Sequence, residues 1–277
     1  LVGLGMKMAL FPLHMWLPRA YTYAPSAVSA LLSATATKVG VYMAFRFLFT
    51  IFGVTFSFIA MPTTLVLASC ASAGIIFTGI TALRQTNLKR MLAYSSVGQL
   101  GYIVLGFALA NVNGVAGSVT HILNHALMKG GMFMALGAVV YRMDRCDIRS
   151  VRGLGRKMPL TMAAFTVGGL GLVGFPLTAG FISKWYLVQG CLERPHMWPL
   201  AGVVLVGSLL AVVYTWRVVE AAYFQDADDE RPVAEAPLLM LIPMWILIGA
   251  SVFFGINATF TGKIAVTAAK SLLGVGP

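Results

Sequence analysis

Residues 115–140 read VAGSVTHILNHALMKGGMFMALGAVV, an apolar segment long enough to cross a bilayer as one helix. Three ionisable residues interrupt it, His121, His125 and Lys129, and they are spaced i, i+4 and i+8. Each step of four residues advances 400° on an α-helix, so the side chains drift only ~40° per step while rising ~6 Å. We therefore expect one continuous polar stripe, bordered by Asn124, whose gaps one or two waters would bridge.

This stripe is chemically suited to proton transfer. An ionisable side chain at membrane depth costs at least ~2.5–3.5 kcal/mol on insertion scales, and such residues usually face the protein interior and have a functional role. Histidine changes its charge near neutral pH, so His121 and His125 can accept and release protons. The alternative is a set of structural hydrogen bonds, which the sequence does not exclude.

The rest of the chain has the composition of a membrane protein. It is 58% hydrophobic and 10% charged, with a mean hydropathy of +0.84, whereas soluble domains carry about 25% charged residues. The predicted fold class is therefore all-α, a polytopic membrane helix bundle. Predicted spans lie near 1–17, 26–48, 60–82, 91–110, 115–140, 158–189, 197–223 and 237–256, with a short helical tail to residue 277. Since Leu1 already lies in an apolar run, we expect that the first span is truncated and that the natural N-terminus is missing.

Two of these spans contain helix breakers. Pro12 interrupts the first, and Pro176, among several glycines, interrupts the sixth. Similar phrases surround them, Phe-Pro-Leu at 11–13 and again at 175–177. A broken helix is tolerated in hydrocarbon only where protein or a water-filled cavity satisfies its backbone, and discontinuous helices in corresponding halves point to a transport site.

Further basic residues fall within spans. Lys38 is in mid-span, too deep to reach the interface easily, whereas the truncation leaves the depth of Lys7 undecided. Lys184 follows the second break, and its alternative role is to extend toward the interface from the end of a span. Arg217 and Glu220 are spaced i, i+3, so we interpret them as a structural pair.

Residues 1–143 contain no aspartate or glutamate. The lysines of this segment therefore have no carboxylate of their own. Unless these lysines are uncharged, we expect a partner acid from the missing N-terminal part or from another subunit.

Most basic residues fall on one side when the chain is threaded through the bilayer. That side carries the loops 18–25, 83–90, 141–157 and 225–236, with Arg19, Arg84, Lys89, Arg90, Arg142, Arg145, Arg149, Arg152, Arg156, Lys157 and Arg231. The positive-inside rule predicts that this face is cytoplasmic. Although the net charge is +11, the basic residues punctuate apolar runs, which argues against nucleic-acid binding.

No cofactor site is predicted. The three cysteines, Cys70, Cys146 and Cys191, lack metal-binding spacing, so we expect no metal site. The glycines at 168–171 lie within a span and follow no strand, so they do not indicate a dinucleotide loop. We expect no catalytic residue and no redox cofactor in this chain.

Several motifs resemble the antiporter-like proton-translocating subunits, a family that includes the L-, M- and N-type subunits of complex I and the A- and D-type subunits of Mrp cation/proton antiporters. Residues 12–18 (PLHMWLP) and 24–32 (APSAVSALL) resemble the family's PFHxWLPxA and APxxVSALL signatures. Residues 87–96 (NLKRMLAYSS) resemble its DLKRLLAYSS stretch, and 121–131 and 180–184 match further motifs. The resemblance covers most of 1–190.

The resemblance implies two inverted repeats with discontinuous helices and a buried axis of lysines and histidines. It divides the chain into the end of a truncated first repeat (1–60), a second repeat (61–224) and C-terminal helices (225–277). By position, the implied proton path comprises Lys7, Lys38, His121, His125, Lys129 and Lys184. The glutamate that partners the equivalent of Lys7 in the family would lie upstream of residue 1.

Within this family the phrases at 37–42 and 124–130 look most like the D-type Mrp protein. The M-type protein of complex I usually has a glutamate at the position of Lys184, and the L-type protein tends to have a histidine near the position of Lys38. The first hypothesis is therefore a subunit of an Mrp-type antiporter in the bacterial plasma membrane, which exchanges protons for sodium beside other membrane subunits. The second is a proton-pumping subunit of complex I or of a membrane-bound hydrogenase. The third is a membrane scaffold without transport, which explains the buried lysines and histidines poorly.

Overall fold

The fold is built from helices that follow the apolar runs of the sequence. A computed structural model describes residues 1–227 and 233–275. In this part of the chain, six helical segments are long and apolar enough to cross a membrane. Their bounds are Ser26–Ile51, Thr63–Leu83, Leu88–Ala108, Val112–Met143, Pro199–Phe224 and Leu238–Ile256. The chain is thus an all-α multi-pass membrane protein, as predicted.

The first predicted span is a broken helix. It begins with α1 (Val2–Lys7), continues through an irregular segment around Pro12, and resumes as α2 (Trp16–Tyr23). The indole Nε1 of Trp16 donates 2.9 Å to the carbonyl oxygen of Met6, which joins the two halves. A Cβ at Gly40 would lie 2.8 Å from the backbone nitrogen of Met8, so the end of α1 packs directly against the next span.

The second span is also interrupted. It consists of α3 (Ser26–Ala34) and α4 (Ala36–Phe45), which meet at Thr35, a residue with non-helical φ and ψ of −122° and −53°. Two π-helical turns follow, Arg46–Ile51 and Thr55–Ala60. The sequence contains no proline at Thr35, so sequence analysis did not predict this break.

The predicted span at 158–189 is two helices, α9 (Pro159–Val173) and α10 (Ala179–Glu193). Gly174 ends α9 with a φ of +86°, a left-handed conformation that glycine adopts without strain. A Cβ at Gly180 would lie 1.9 Å from the carbonyl oxygen of Gly171, so α10 begins in backbone contact with the end of α9.

The remaining helices complete the bundle around α7. In chain order they are α5 (Thr63–Leu83), α6 (Leu88–Ala108), α7 (Val112–Met143), α8 (Leu154–Lys157), α11 (Pro199–Phe224), α12 (Leu238–Ile256) and α13 (Ala258–Leu273). The predicted helical tail is α13, which packs against α7. Helix α7 also contacts α3, α6, α9, α10 and α12, because glycine and alanine along its surface let neighbours approach.

Hydrogen bonds to backbone carbonyls join the predicted basic loops at one face. The amide of Leu88 donates to the carbonyl oxygen of Cys146 at 2.9 Å, and Lys89 donates to that of Ala24 at 3.4 Å. Arg142 donates to the carbonyl oxygen of Glu235 at 2.5 Å. All four loops therefore share a face, as predicted, although Arg231 and the acidic residues Asp228, Asp229 and Glu230 lie outside the described residues.

Candidate functional site: a buried row of lysines and histidines

Helix α7 carries the centre of the predicted site. His121, His125 and Lys129 are each 0% exposed, and Asn124 is 1% exposed. His121 and His125 stack with ring centroids 6.1 Å apart and an interplanar angle of 7°, as expected for i, i+4 neighbours on one face. The stripe thus faces the interior of the bundle, in agreement with the sequence prediction.

Lys129 reaches across to α6. Its ammonium donates 2.9 Å to the carbonyl oxygen of Leu92 and also donates to the hydroxyl of Ser95. Ser95 itself donates to the Leu92 carbonyl oxygen at 3.1 Å. The partners of Lys129 in the described chain are therefore a carbonyl and a hydroxyl oxygen, which stabilise an ammonium without supplying a counter-charge.

His121 connects α7 to both α6 and α10. Its Nδ1 lies 2.7 Å from the hydroxyl oxygen of Ser183, and its Nε2 lies 3.0 Å from Oε1 of Gln99. The hydroxyl of Ser183 can in turn donate to the carbonyl oxygen of Gly180 at 3.0 Å. An imidazolium would donate to Gln99 Oε1 and to the Ser183 oxygen. A neutral ring protonated on Nε2 would still donate to Gln99 and would accept from the Ser183 hydroxyl at Nδ1, so the site accommodates either protonation state.

Lys184 lies at the break between α9 and α10 and is 6% exposed. Its ammonium donates to the carbonyl oxygens of Leu172 at 2.7 Å and Val173 at 3.0 Å, and to the hydroxyl of Ser208 on α11 at 2.9 Å. The two carbonyls belong to the last turn of α9, where the partial negative charge of the helix dipole stabilises a cation. The contacts of Lys184 are therefore to the interior, and the alternative in which it extends to the interface is wrong.

Lys38 occupies a comparable position at the other helix break. It lies in α4, is 8% exposed, and donates to the carbonyl oxygen of Ser33 in the last turn of α3. Lys38 interacts electrostatically with His121, His125 and Lys129. The structure thus joins Lys38 to the row on α7.

His125 lies within the electrostatic reach of both Lys38 and Lys129. Neither of its ring nitrogens has a hydrogen-bond partner within residues 1–227 and 233–275, and the same holds for Oδ1 of Asn124. The amide nitrogen of Asn124 donates 2.5 Å to the carbonyl oxygen of Ala179, at the start of α10. Buried polar atoms without protein partners usually bind water, so this is a place where water would enter the row.

Two residues depart from the sequence interpretation. Lys7 is exposed at the end of α1, and the structure does not bring its side chain to the five buried residues. Arg217 does not form the expected pair with Glu220 in the described part of the chain. Its guanidinium instead donates to the carbonyl oxygen of Leu83 in the last turn of α5, because its own helix lies against that helix end.

The sequence analysis missed a second set of polar residues. Ser95, Gln99 and Tyr102 of α6 are each 2% exposed or less and face the row, together with Ser208 and Tyr214 of α11. The signal was present on α6, where the three are spaced i, i+4 and i+7 in an apolar span. It was overlooked because uncharged polar residues do not stand out as ionisable ones do.

The acidic side chains with described contacts lie at the two ends of the bundle. Glu235 accepts from the backbone and hydroxyl of Thr161 in the first turn of α9. Glu193 accepts from the amides of Asn111 and Asn113 at the opposite face. Across the described ranges, no three histidine, cysteine or acidic side chains are arranged so that they could hold a metal ion.

Comparison with known proteins identifies the family. Residues 1–211 match the family described as "NADH:quinone oxidoreductase/Mrp antiporter, TM". The chain is 46% identical over 258 residues to "NADH-quinone oxidoreductase subunit N" of Desulforudis audaxviator, with 88% of this chain and 51% of that protein covered. It is 34% identical over 280 residues to "F(420)H(2) dehydrogenase subunit N" of Methanosarcina mazei, with 98% and 56% covered.

A solved structure shares the fold. The "Structure of Mrp complex from Dietzia" contains a chain that superimposes with a TM-score of 0.90 at 24% identity, over 98% of this chain and 58% of that one. The chain spans about half the length of the curated relatives it matches. With a family match over residues 1–211 and the buried lysine–histidine row in place, the chain belongs to the family of membrane subunits shared by NADH:quinone oxidoreductases and Mrp antiporters.

Proposed function

We propose that this chain is part of a proton-carrying membrane subunit of a redox-driven complex of the NADH:quinone oxidoreductase type. The observation that carries the proposal is the buried row of Lys38, His125, Lys129, His121 and Lys184. Its lysines are held by carbonyl and hydroxyl oxygens in the described chain. Titratable groups buried at this depth are costly, and a purely structural role does not account for five of them in one row.

The relatives support the redox-driven hypothesis over the D-type Mrp assignment that sequence motifs favoured. Two relatives at 46% and 34% identity are named as subunits of an NADH–quinone oxidoreductase and an F(420)H(2) dehydrogenase. The Mrp chain is similar at 24% identity, which supports a common fold and no closer assignment. Electron transfer would take place in partner subunits, and this chain would move protons in response.

The mechanism follows from like charges in a low-dielectric interior. Because like charges repel strongly in such an interior, a proton on one member of the row disfavours a proton on its neighbours. A charge change at one end of the row therefore promotes the release of a proton at the other end. In this way the row transmits protons stepwise. Lys7 would join this path through the carboxylate expected upstream, in the rest of the first repeat.

The row also fits the expected repeat organisation. Under this proposal, residues 61–224 form the second transport repeat, 1–60 complete the first, and 225–277 add C-terminal helices. The protein would lie in the bacterial plasma membrane with its basic loops in the cytoplasm and other membrane subunits along its sides. Protons would be the transported ion, with sodium as a further candidate.

Proton flux in inverted membrane vesicles tests the proposal. Vesicles carrying the complete complex would be supplied with the electron donor, and the pH gradient would be followed with a fluorescent dye. We expect Lys129→Ala and Lys184→Ala each to abolish most of the flux while the assembled complex remains intact. Lys263→Ala, at an exposed lysine of α13, is the matched control and should pump normally.

The outcomes separate the hypotheses. Normal flux in both Lys129→Ala and Lys184→Ala would refute the row as the path and support the scaffold hypothesis. Flux that a sodium gradient drives without any electron donor, and that Lys129→Ala removes, would favour the Mrp-type antiporter. The family description names Mrp antiporters beside NADH:quinone oxidoreductases, and this keeps the second function under test.

A further inference from the structure

A small cavity lies beside the buried row, between α5, α6 and α11. Ser95, Gln99, Tyr102 and Tyr214 form its polar wall, and the remaining lining residues are Ile75, Gly79, Gly98 and Gly207. The volume that the centre of a water molecule can occupy is about 10 Å³. A cavity holds a water when this volume is about 10–15 Å³ and two to four polar groups surround it, so the space fits one water molecule.

The polar groups of this cavity lie between Lys129 of α7 and Lys184 of α10. At one end, Lys129 donates to the hydroxyl of Ser95. The hydroxyl of Tyr214 interacts with the side chains of Ser95 and Gln99. At the other end, Tyr102 interacts with the hydroxyl of Ser208. A hydroxyl group can both accept and donate a hydrogen bond, as proton relay requires.

The same connection reaches Lys184 directly. Its ammonium donates 2.9 Å to the hydroxyl oxygen of Ser208, and its Nζ lies 4.8 Å from the centre of the Tyr102 ring. Gly207 leaves room for this arrangement, because a Cβ there would lie 2.3 Å from the hydroxyl oxygen of Tyr102. The hydroxyl of Tyr102 also donates to the carbonyl oxygen of Val204 at 3.4 Å. Hydroxyl groups therefore line the way from the cavity to the ammonium group of Lys184.

The histidine path between these lysines is less continuous. Lys129 and His121 are eight residues apart on α7, which places them ~12 Å apart along the helix axis. Between them lies His125, whose ring nitrogens have no hydrogen-bond partner in the described segments of the chain. His121, in turn, is fully engaged by Gln99 and Ser183.

We propose that a hydroxyl chain of Ser95, one cavity water, Tyr214, Tyr102 and Ser208 carries the proton from Lys129 to Lys184. This inference rests on the proposed function, since it names the route between two members of the row. Each oxygen accepts a proton from one side and releases its own to the other. One proton leaves the ammonium of Lys129 and one arrives on Lys184 in its neutral amine form, while the hydroxyls and the water keep their composition and reverse their orientation.

Tyr102→Phe and Tyr214→Phe test this route, because each removes one hydroxyl oxygen and keeps the buried ring. We expect each variant to lower electron-donor-driven proton flux at least about tenfold in the assembled complex, and we expect Ser208→Ala to have the same effect. Tyr186→Phe, a tyrosine of α10 that lines a different cleft, is the matched control.

Two further measurements distinguish relay from packing. The solvent deuterium isotope effect on proton flux should be larger in the wild type than in Tyr102→Phe, a change that a purely structural role would not produce. Lys129→Ala must be measured in parallel. If Lys129→Ala abolishes flux while Tyr102→Phe and Tyr214→Phe pump normally, the hydroxyl chain is refuted and the proposed function stands. If Lys129→Ala itself pumps normally, the proposed function fails first.

Discussion

The contact between α10 and the end of α9 predicts a large penalty for one added methyl group. In Gly180→Ala, the new Cβ would lie 1.9 Å from the carbonyl oxygen of Gly171 and 3.0 Å from its carbon. Ordinary van der Waals contact begins at 3.4 Å, so the two segments would have to separate by about 1.5 Å (3.4 minus 1.9). The opposing atom is backbone and cannot rotate away as a side chain would.

The expected cost is at the upper end of the range for overpacked interiors, about 3 kcal/mol. Since 1.4 kcal/mol corresponds to a factor of ten, this equals a change of about 100-fold in the ratio of folded to unfolded protein. Leu172 and Val173 follow Gly171 directly, and their carbonyls hold Lys184. We therefore expect Gly180→Ala to reduce both the thermal stability of the complex and its proton flux.

The assay is thermal unfolding of the purified complex, combined with donor-driven proton flux in vesicles. Gly202→Ala and Gly249→Ala are matched controls, because a Cβ at either position meets no atom within 4 Å. Their greater helix propensity should leave stability unchanged or raise it by up to ~1 kcal/mol. If Gly180→Ala unfolds at the same temperature as these controls and pumps as the wild type, the proposed backbone contact is wrong.

Three further predictions concern the ends of the bundle. Glu235→Ala should lower the free energy of unfolding by about 1 kcal/mol, because its carboxylate accepts from the amide and hydroxyl of Thr161 in the first turn of α9. Asn111→Ala should cost about 1–2 kcal/mol of stability. The Oδ1 of Asn111 caps α7 by accepting from the amide of Gly114, and its Nδ2 donates 2.8 Å to the carbonyl oxygen of Gly190. Burial raises the pKa of the Cys146 thiol to about 12, so at pH 8 a maleimide should label it about three orders of magnitude more slowly than an ordinary cysteine.

Each of these has its own control. Thermal unfolding of Glu220→Ala, an exposed glutamate of α11, should match the wild type, and an equal loss in both variants would contradict the capping role of Glu235. For Asn111, a Ser substitution keeps a capping oxygen without placing a second carboxylate beside Glu193, and should recover part of the stability. Rapid labelling of Cys146 in the folded complex, at the rate seen after denaturation, would show that the thiol is not buried.

Sequence periodicity predicted the α7 stripe because membrane helices have a fixed geometry. His121, His125 and Lys129 lie on one buried face, as the spacing of four residues requires. Helix breaks at prolines were also predicted, since proline removes a backbone donor wherever it occurs. The break at Thr35 was not predicted, because neither proline nor glycine occurs at that position.

The sequence also determined that the protein lies in a lipid bilayer, that its fold is all-helical and which types of residue are able to carry protons, because these properties depend on composition and local spacing. Only the tertiary structure decided what these residues contact. It set the carbonyl ends of α3 and α9 against Lys38 and Lys184, paired Arg217 with a helix end in place of Glu220, and brought Tyr102 and Tyr214 to one cavity. Such contacts join residues that are far apart in the chain. They are determined by side-chain packing between helices, which no local sequence pattern encodes.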